Sequence, residues 1–546
     1  MKKILILLIG LLPSLVQAQV VETVYVSTDR TVYIAGDEVW CSLFCVDAKS
    51  GKLSPFSAVS YLELVSTDGT VTTAKVGLME GRGAGKFRIP ASAPTGNYRL
   101  IAYTAQNQEG YLAGSKVLSV FNTTSVSRVK DGVSIVPESE YKGLSQAKEA
   151  ADNQVNIAVT GHPRKGGTFY LNLDNNSKAV DMSVSVYALD EILPPANGTL
   201  ADFLQQPCPE KAVSNRLPEY EGEIVYAAVE GLVQRQLDSL SDMAVATLSS
   251  AGSPSDVYVG KLNEKGRLVF FTNNIYGDRE LVCEVKSDCG YISLVDPFLR
   301  PDMADIEPLR LSSAQYGPLV QRKAGIVNSL QADTLVQFLP RRHDVLLENS
   351  KRIHYHLDDY TRFPSFQEVI VEIIPELRLG TGHGRRELKM FIPDAANAKK
   401  ILHDNILVML DGVVIDDVSL LEGMDAMLLE DVDLYQQSIL VGGLSFSGLV
   451  NFVTRKNYVK ALQFPENVRV IDFKGVSYPV AYPGTPVRGN DYRQLLYWHP
   501  ALKLASGASE RISLTAPAYS GTFRVIAEGL TEDGKPFREV VDFQIQ

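Results

Sequence analysis

The sequence predicts a mainly β, multidomain protein: several β-sandwiches joined to one small α/β unit. Three observations point there. At 546 residues the chain has room for roughly three to five domains. Short runs rich in Val, Ile, Thr, Tyr and Phe, bounded by Gly, Pro, Asn and Asp, recur at sandwich-like spacing along most of its length. One segment, from Asn405 to Lys456, departs from this pattern and reads instead as strand, turn, helix and strand.

At the N-terminus, Lys2 and Lys3 precede an apolar run from Ile4 to Leu12, and Val16-Gln17-Ala18 forms a small-residue cleavage site. Residues 1–18 therefore read as a secretory signal peptide, with the mature chain expected to begin at Gln19. The expected location is the periplasm or the outer-membrane periphery. No cysteine follows the cleavage site, so no lipid anchor is expected. No later run is long and apolar enough for a transmembrane segment of its own. A formal net charge of -11 and a pI near 5.3 leave no basic stripe to neutralise phosphates, which argues against nucleic acid as a partner.

Five cysteines, Cys41, Cys45, Cys208, Cys283 and Cys289, enter an oxidising compartment in odd number, so one has no partner within the chain. Cys41 and Cys45 read as one strand, where four residues span roughly 13 Å, too far for a bridge. Cys283 and Cys289 flank a turn-like Lys-Ser-Asp and would suit a hairpin bridge. The other reading is that all five are small buried apolar residues.

Residues 19–123 carry strand signals at Val24–Ser27, Glu38–Val46, Tyr61–Val65, Phe87–Pro90 and Tyr98–Thr104. Gly81, Gly83 and Gly85 lack the strand-to-helix setting and lysine of a phosphate loop and read as a hairpin loop. In residues 124–193, Val155, Ile157 and Val159 alternate with polar residues, as do Met182, Val184 and Val186, giving a second sandwich. A proline-rich connector occupies 194–220, with Pro194, Pro195, Pro207 and Pro209. Residues 221–300 read as a third sandwich, through Ser255-Asp-Val-Tyr-Val-Gly-Lys-Leu-Asn-Glu-Lys-Gly266-Arg-Leu-Val-Phe270. Residues 301–358 read as a linker with a helix between Leu311 and Leu335. The α/β unit spans 359–456, and 457–546 returns to sandwich patterning. There Ser520-Gly521-Thr-Phe523-Arg-Val-Ile-Ala527 repeats Thr95-Gly96-Asn-Tyr98-Arg-Leu-Ile-Ala102 almost residue for residue, so the same strand unit is expected twice. Asp491 to Pro500, with Trp498, reads as a core strand and turn.

Within the α/β unit, Pro364 opens a helix whose stripe is Phe366, Val369, Ile370 and Ile373. Ile406 to Leu410 is a buried strand closed by an Asp411-Gly412 turn. Asp416 and Asp417 then precede a capped helix carrying Leu420, Leu421, Met424, Met427 and Leu428. A strand from Asp431 to Tyr435 follows. Val441-Gly442-Gly443 and the run Gly448-Leu-Val-Asn-Phe-Val-Thr454-Arg-Lys456 close the segment with a glycine turn and a last strand.

These motifs carry three resemblances. Tyr33-Ile-Ala-Gly36-Asp37 and Pro94-Thr-Gly96-Asn-Tyr98 resemble alpha-2-macroglobulin-type sandwiches, and 124–193 looks like a second such unit. The stretch from Ser255 to Phe270 resembles a carboxypeptidase-regulatory-like sandwich. The order from Ile406 to Lys456 resembles the plug of TonB-dependent outer-membrane receptors, although Val441-Gly442 stands where the family has Tyr-Gly, and too little chain follows to build a barrel. Together they resemble multidomain envelope proteins of the Bacteroidetes type. The resemblance implies a non-catalytic exported scaffold or binding protein with an outer-membrane or periplasmic protein partner, docking through Asp411, Gly412, Gly442, Gly443 and Gly448. The alternative it leaves open is a protease-interacting macroglobulin-like protein without a thioester, since no Cys-Gly-Glu-Gln occurs.

For chemistry, His354, His356 and Asp358 fall on one face of an expected strand, a set that would suit a metal or a solvated polar face. His383 and Arg385-Arg386 flank a glycine loop that reads as an exposed tip. No nucleophile elbow or zinc-protease helix appears, so neither catalytic residues, cofactor nor metal site is assigned and no hydrolase activity is expected.

Overall fold

The computed structural model describes residues 21–124, 132–141, 152–206, 216–230, 245–252, 256–262, 267–285, 291–303, 305–312, 321, 323, 326, 351–382, 384–394, 399–456, 462–465, 467–479, 481–482, 484 and 491–546. The expected signal segment, Cys208, Cys289 and His383 lie outside the described residues, and of the helix expected between Leu311 and Leu335 only Gln321, Lys323 and Ile326 are described beyond Ser312, all three helical. Leu311 itself belongs to a strand, Leu309–Ser312, which runs parallel to Val133–Val136.

The first sandwich has one layer of Glu22–Thr28, Glu38–Asp47 and Arg82–Arg88 and a second of Val59–Ser66, Gly96–Tyr103, Lys116–Phe121 and Val32–Ile34. Strand Gly69–Met79 serves both layers. It pairs with Val59–Ser66 over most of its length and turns its last two residues, Leu78 and Met79, onto Arg82–Arg88. Alternation places Val24, Val39, Cys41, Leu43, Cys45, Leu62 and Leu100 in the core between them. Of the glycine series, only Gly81, at φ +79°, forms the hairpin turn. Gly83 and Gly85 are strand residues, and a Cβ on Gly85 would lie 2.6 Å from the Val76 side chain.

The second sandwich is not confined to residues 124–193, and residues 457–546 do not form a sandwich of their own. One layer joins Val155–Thr160 and Thr168–Asn175 to Ser509–Thr515, and the other orders Leu495–Leu504, Val180–Ala188, Gly521–Thr531 and Pro536–Ile545. Phe169, Leu171, Val184, Phe523, Val525 and Phe537 fill the space between the layers. Three strands from the early segment cannot close a core alone, so four later strands complete it.

The third unit is a seven-stranded sheet in which Val468–Lys474 adds to Asp278–Val285 at one edge. Residues 194–220 are not wholly irregular. A short helix, Leu200–Leu204, is capped by Thr199 and Asp202 in a reciprocal box, and its Leu200 and Phe203 pack with Tyr25 and Phe44.

The α/β unit begins at Arg352 and not at Asp359. Its main sheet runs Arg352–His356, Leu429–Tyr435, Gly448–Thr454, Ile406–Leu410 and Val413–Val414, with Ile406–Leu410 parallel to Gly448–Thr454. A second sheet orders Leu377–Gly382, Arg385–Asp394 and Lys399–His403. Helix Phe366–Glu372 packs Phe366, Val369 and Ile370 into the core, with the Phe366 and Phe452 rings 5.1 Å apart. The amphipathic helix expected after Asp417 is a single turn, Ser419–Glu422. Gly423 ends it, and Asp425 caps a separate 3-10 turn, Ala426–Leu428, that leaves Met427 exposed.

Candidate functional site

The five residues assigned from sequence to partner binding lie at two places in the α/β unit. Asp411 (φ +49°) and Gly412 (φ +84°) make the turn after Ile406–Leu410, where both need left-handed backbone. The Asp411 carboxylate points inward. It accepts from the Thr454 N–H at 2.7 Å and the Thr454 hydroxyl at 2.6 Å, while its own N–H donates to Phe452 at 2.7 Å. Gly412 N–H donates to Asn451 Oδ1 at 3.0 Å. The pair thus clamps the turn to the last strand and presents no side chain to a partner.

Gly442 and Gly443 form a left-handed turn between Ile439–Val441 and Leu444–Phe446. A Cβ on Gly442 would come within 2.4 Å of Val259 in the third unit, whereas Gly443 faces open space. Gly448 is buried beneath Met390 and the Tyr435 carbonyl. Around this contact Val257 and Val259 lie against Leu407, Met409, Val414, Tyr435 and Leu449. The third unit therefore covers this apolar face of the α/β unit.

His354 and His356 face Asp433 and Asp431 across the Arg352–His356 pairing with Leu429–Tyr435. His354 Nδ1 lies 2.8 Å from Asp433 Oδ1, and His356 Nδ1 lies 2.7 Å from Asp431 Oδ1. That hydrogen bond to Asp431 raises the His356 pKa above its ordinary value. Asp358 does not share this face. The strand ends at His356, and Asp358, in the following 3-10 turn, pairs with Arg455 at 2.5 Å and Arg362 at 3.6 Å. Among the described residues, no three such groups converge as metal ligands.

Sequence reasoning missed the buried charges that join the units. Lys75 Nζ, on the first sandwich, lies 2.6 Å from Glu223 in the third unit, and the same ammonium sits 4.1 Å above the Phe473 ring. Beside it Glu219 accepts from the Tyr61 hydroxyl at 2.7 Å and the Ile224 N–H at 2.9 Å, and burial raises its pKa to about 7. Glu63 accepts from Tyr103 at 2.6 Å and from the Leu299 N–H at 2.8 Å, and Phe298, Leu299, Met303 and Ile306 pack against the first sandwich beside it. Between the first and second sandwiches, Glu528 is fully buried with Tyr25 at 2.9 Å and Arg538 at 3.1 Å, and it borders a cavity of about 500 Å³. A lone Glu or Lys in or beside a strand carries no motif, so nothing in the sequence marked these groups.

Residues 23–118 match the MG2 domain family. The first sandwich is macroglobulin-like. Its boundaries coincide with the strands from Glu22–Thr28 to Lys116–Phe121. No curated protein matches the chain. Solved structures that match include a Salmonella alpha-2-macroglobulin reacted with methylamine, at 10% identity and TM-score 0.25 over 96% of this chain and 39% of that one. An Escherichia coli alpha-2-macroglobulin activated by porcine elastase gives 10% identity and TM-score 0.25 over 96% of this chain and 43% of that one. A Yersinia pseudotuberculosis adhesin gives 11% identity and TM-score 0.14 over 50% of this chain and 58% of that one. The chain spans about two fifths of the length of these alpha-2-macroglobulins.

Proposed function

We propose that this protein is a non-catalytic, exported scaffold of the cell envelope, associated with the outer membrane, whose sandwiches hold the plug-like α/β unit in place for docking onto a protein partner. The observation that carries this reading is the path of residues 468–545. They add a strand to the third sheet, then pair Val476–Ser477 with Gly69–Met79 of the first sandwich, then complete the second sandwich. The segment that follows the α/β unit is thereby fixed into the third sheet and both sandwiches, and ion pairs cross between units at Lys75–Glu223 and Arg82–Asp181, an arrangement suited to rigidity. The unit also carries Tyr360, Val371, Ile401, Leu402, Met427 and Leu440 as exposed apolar side chains, candidate contacts for a partner.

A photo-cross-linking residue placed at Val371 or Leu440 tests this in native envelope fractions, with the sandwich positions Met79 and Phe271 as controls. Discrete adducts from the unit alone are expected, whereas equal labelling from all four positions would sink the reading. The MG2 match favours one alternative, a protease-interacting protein without a thioester. Stable complexes with several proteases after cleavage of one segment would support that alternative instead.

A further inference from the structure

Strand Lys399–His403 ends the three-stranded sheet of the α/β unit, pairing only with Arg385–Asp394 among the described residues. The hydrogen-bond phase of that edge can be read from its neighbour. Phe391 turns its N–H away from the edge strand, to Glu376 O at 2.8 Å, and its carbonyl accepts from Gln436 at 2.5 Å. Leu402, which faces Phe391, is therefore in a non-hydrogen-bonded pair, and its N–H and C=O point outward. Lys400, two residues away, points the same way. The strand thus offers two donor and acceptor sets at the spacing an added strand would use. It is also apolar where it is open, with Ile401 46% and Leu402 42% exposed.

Charge decides what could pair there. The three strands of this sheet hold Arg378, Arg385, Arg386, Lys389, Lys399 and Lys400 against Glu387 and Asp394, a net of +4 in a chain of net -11. Arg386 is paired with Glu422 and Lys389 with Glu387, but Lys399 and Lys400 have no ion pair among the described residues. A second copy of the same edge would bring two sheets of net +4 side by side, which opposes pairing. We propose that Lys399–His403 is an open edge that accepts an acidic, extended segment of a partner protein as an added strand. Main-chain bonds to Lys400 and Leu402 would give affinity, and the lysines would select for acidic residues.

This inference rests on reading the α/β unit as the docking element, and its test separates the two. The full mature protein is titrated with a capped, fluorescent peptide of alternating Glu and Val, and with its Lys and Val counterpart, while amide exchange is followed over residues 399–403. The acidic peptide is expected to bind, more weakly at high salt, and to slow exchange at Lys400 and Leu402; the basic one is not. Leu402→Pro removes an outward N–H but no ladder bond, and Lys399→Glu with Lys400→Glu reverses the charge. Each should weaken binding at least tenfold. Equal binding of both peptides, no exchange protection, or unchanged binding by the Leu402→Pro protein would overturn the proposal, as would self-association through this edge. Envelope cross-links from Leu440 without peptide binding would leave the scaffold reading standing and remove the edge. Peptide binding without envelope cross-links would do the reverse.

Discussion

Two acid–base contacts of similar length lie in opposite surroundings. Lys75 and Glu223 meet at 2.6 Å with both side chains almost wholly buried between the first sandwich and the third unit. His356 and Asp431 meet at 2.7 Å on an open face of the α/β unit. Neither Lys75 nor Glu223 can regain water without separating the units, so their attraction fixes how the units sit. His356 and Asp431 exchange partners with solvent freely, so their attraction fixes little. Burial therefore decides whether an ion pair joins two parts of this protein or merely decorates one of them.

The largest effect is expected at the buried pair. Lys75→Met should strand Glu223 and cost about 3–5 kcal/mol, read from chemical denaturation. Adding Glu223→Leu should recover most of that loss, because the stranded carboxylate is then gone as well. A single substitution costing no more than a typical surface change would break the comparison.

Next comes Glu219, whose folded pKa is raised from 4.5 to about 7. The folded state then holds its proton more tightly than the unfolded chain. This contribution is complete below about pH 4.5 and is lost as pH rises through 7, on the order of 3 kcal/mol in all. Unfolding measured across that window should show stability falling as pH rises, and Glu219→Gln should remove the part of the slope nearest pH 7, leaving the share of Asp29, which burial raises to about 6. A slope unchanged by that substitution would assign it elsewhere.

Asp411 sharpens the comparison because it lies in the α/β unit and yet is buried. Asp411→Asn tolerates the left-handed turn but loses the charge on both bonds to Thr454, so a cost of about 1.5–3 kcal/mol is expected. A negligible cost would mean that location in the unit, and not burial, sets the energetics.

The smallest effect belongs to His356. Its raised pKa means that the contribution is present below the unfolded pKa and lost as pH rises through the folded one. Nuclear magnetic resonance titration should show the elevated pKa and its return toward the ordinary value in Asp431→Asn. The unfolding midpoint should barely move in His356→Ala, and less still in high salt.

Much of the local structure was legible in the sequence. Period-two alternation located the strands of the first sandwich, the Phe366, Val369 and Ile370 stripe located the helix, and Asp411-Gly412 located the turn. The likeness between residues 95–102 and 520–527 does mark two equivalent strands, Gly96–Tyr103 and Gly521–Thr531. The assembly was not legible. Alternation tells which face of a strand is buried but not which strand will lie beside it, so the partnership of Val180–Ala188 with Leu495–Leu504 left no local trace. The Asp411-Gly412 turn was half legible for the same reason. Asp411 and Gly412 were found because a turn is local chemistry, but their inward bonds depend on Thr454 and Asn451, more than three dozen positions away. Lys399–His403 went unread as an edge strand because an edge is defined by what does not pair with it, here among the described residues.

The return of residues 468–545 also constrains how the protein comes into being. A chain that appears N-terminus first displays Val155–Thr160, Thr168–Asn175 and Val180–Ala188 long before the four strands that close their core. Until those strands arrive, this half-built layer has unpaired edges and uncovered Phe169, Leu171 and Val184. Pairings separated by hundreds of residues form slowly and leave intermediates prone to aggregation. Maturation should therefore be a single late event instead of a domain-by-domain sequence, and a nascent chain cut before Leu495 should be a substrate for holding chaperones and proteases, not a smaller folded protein.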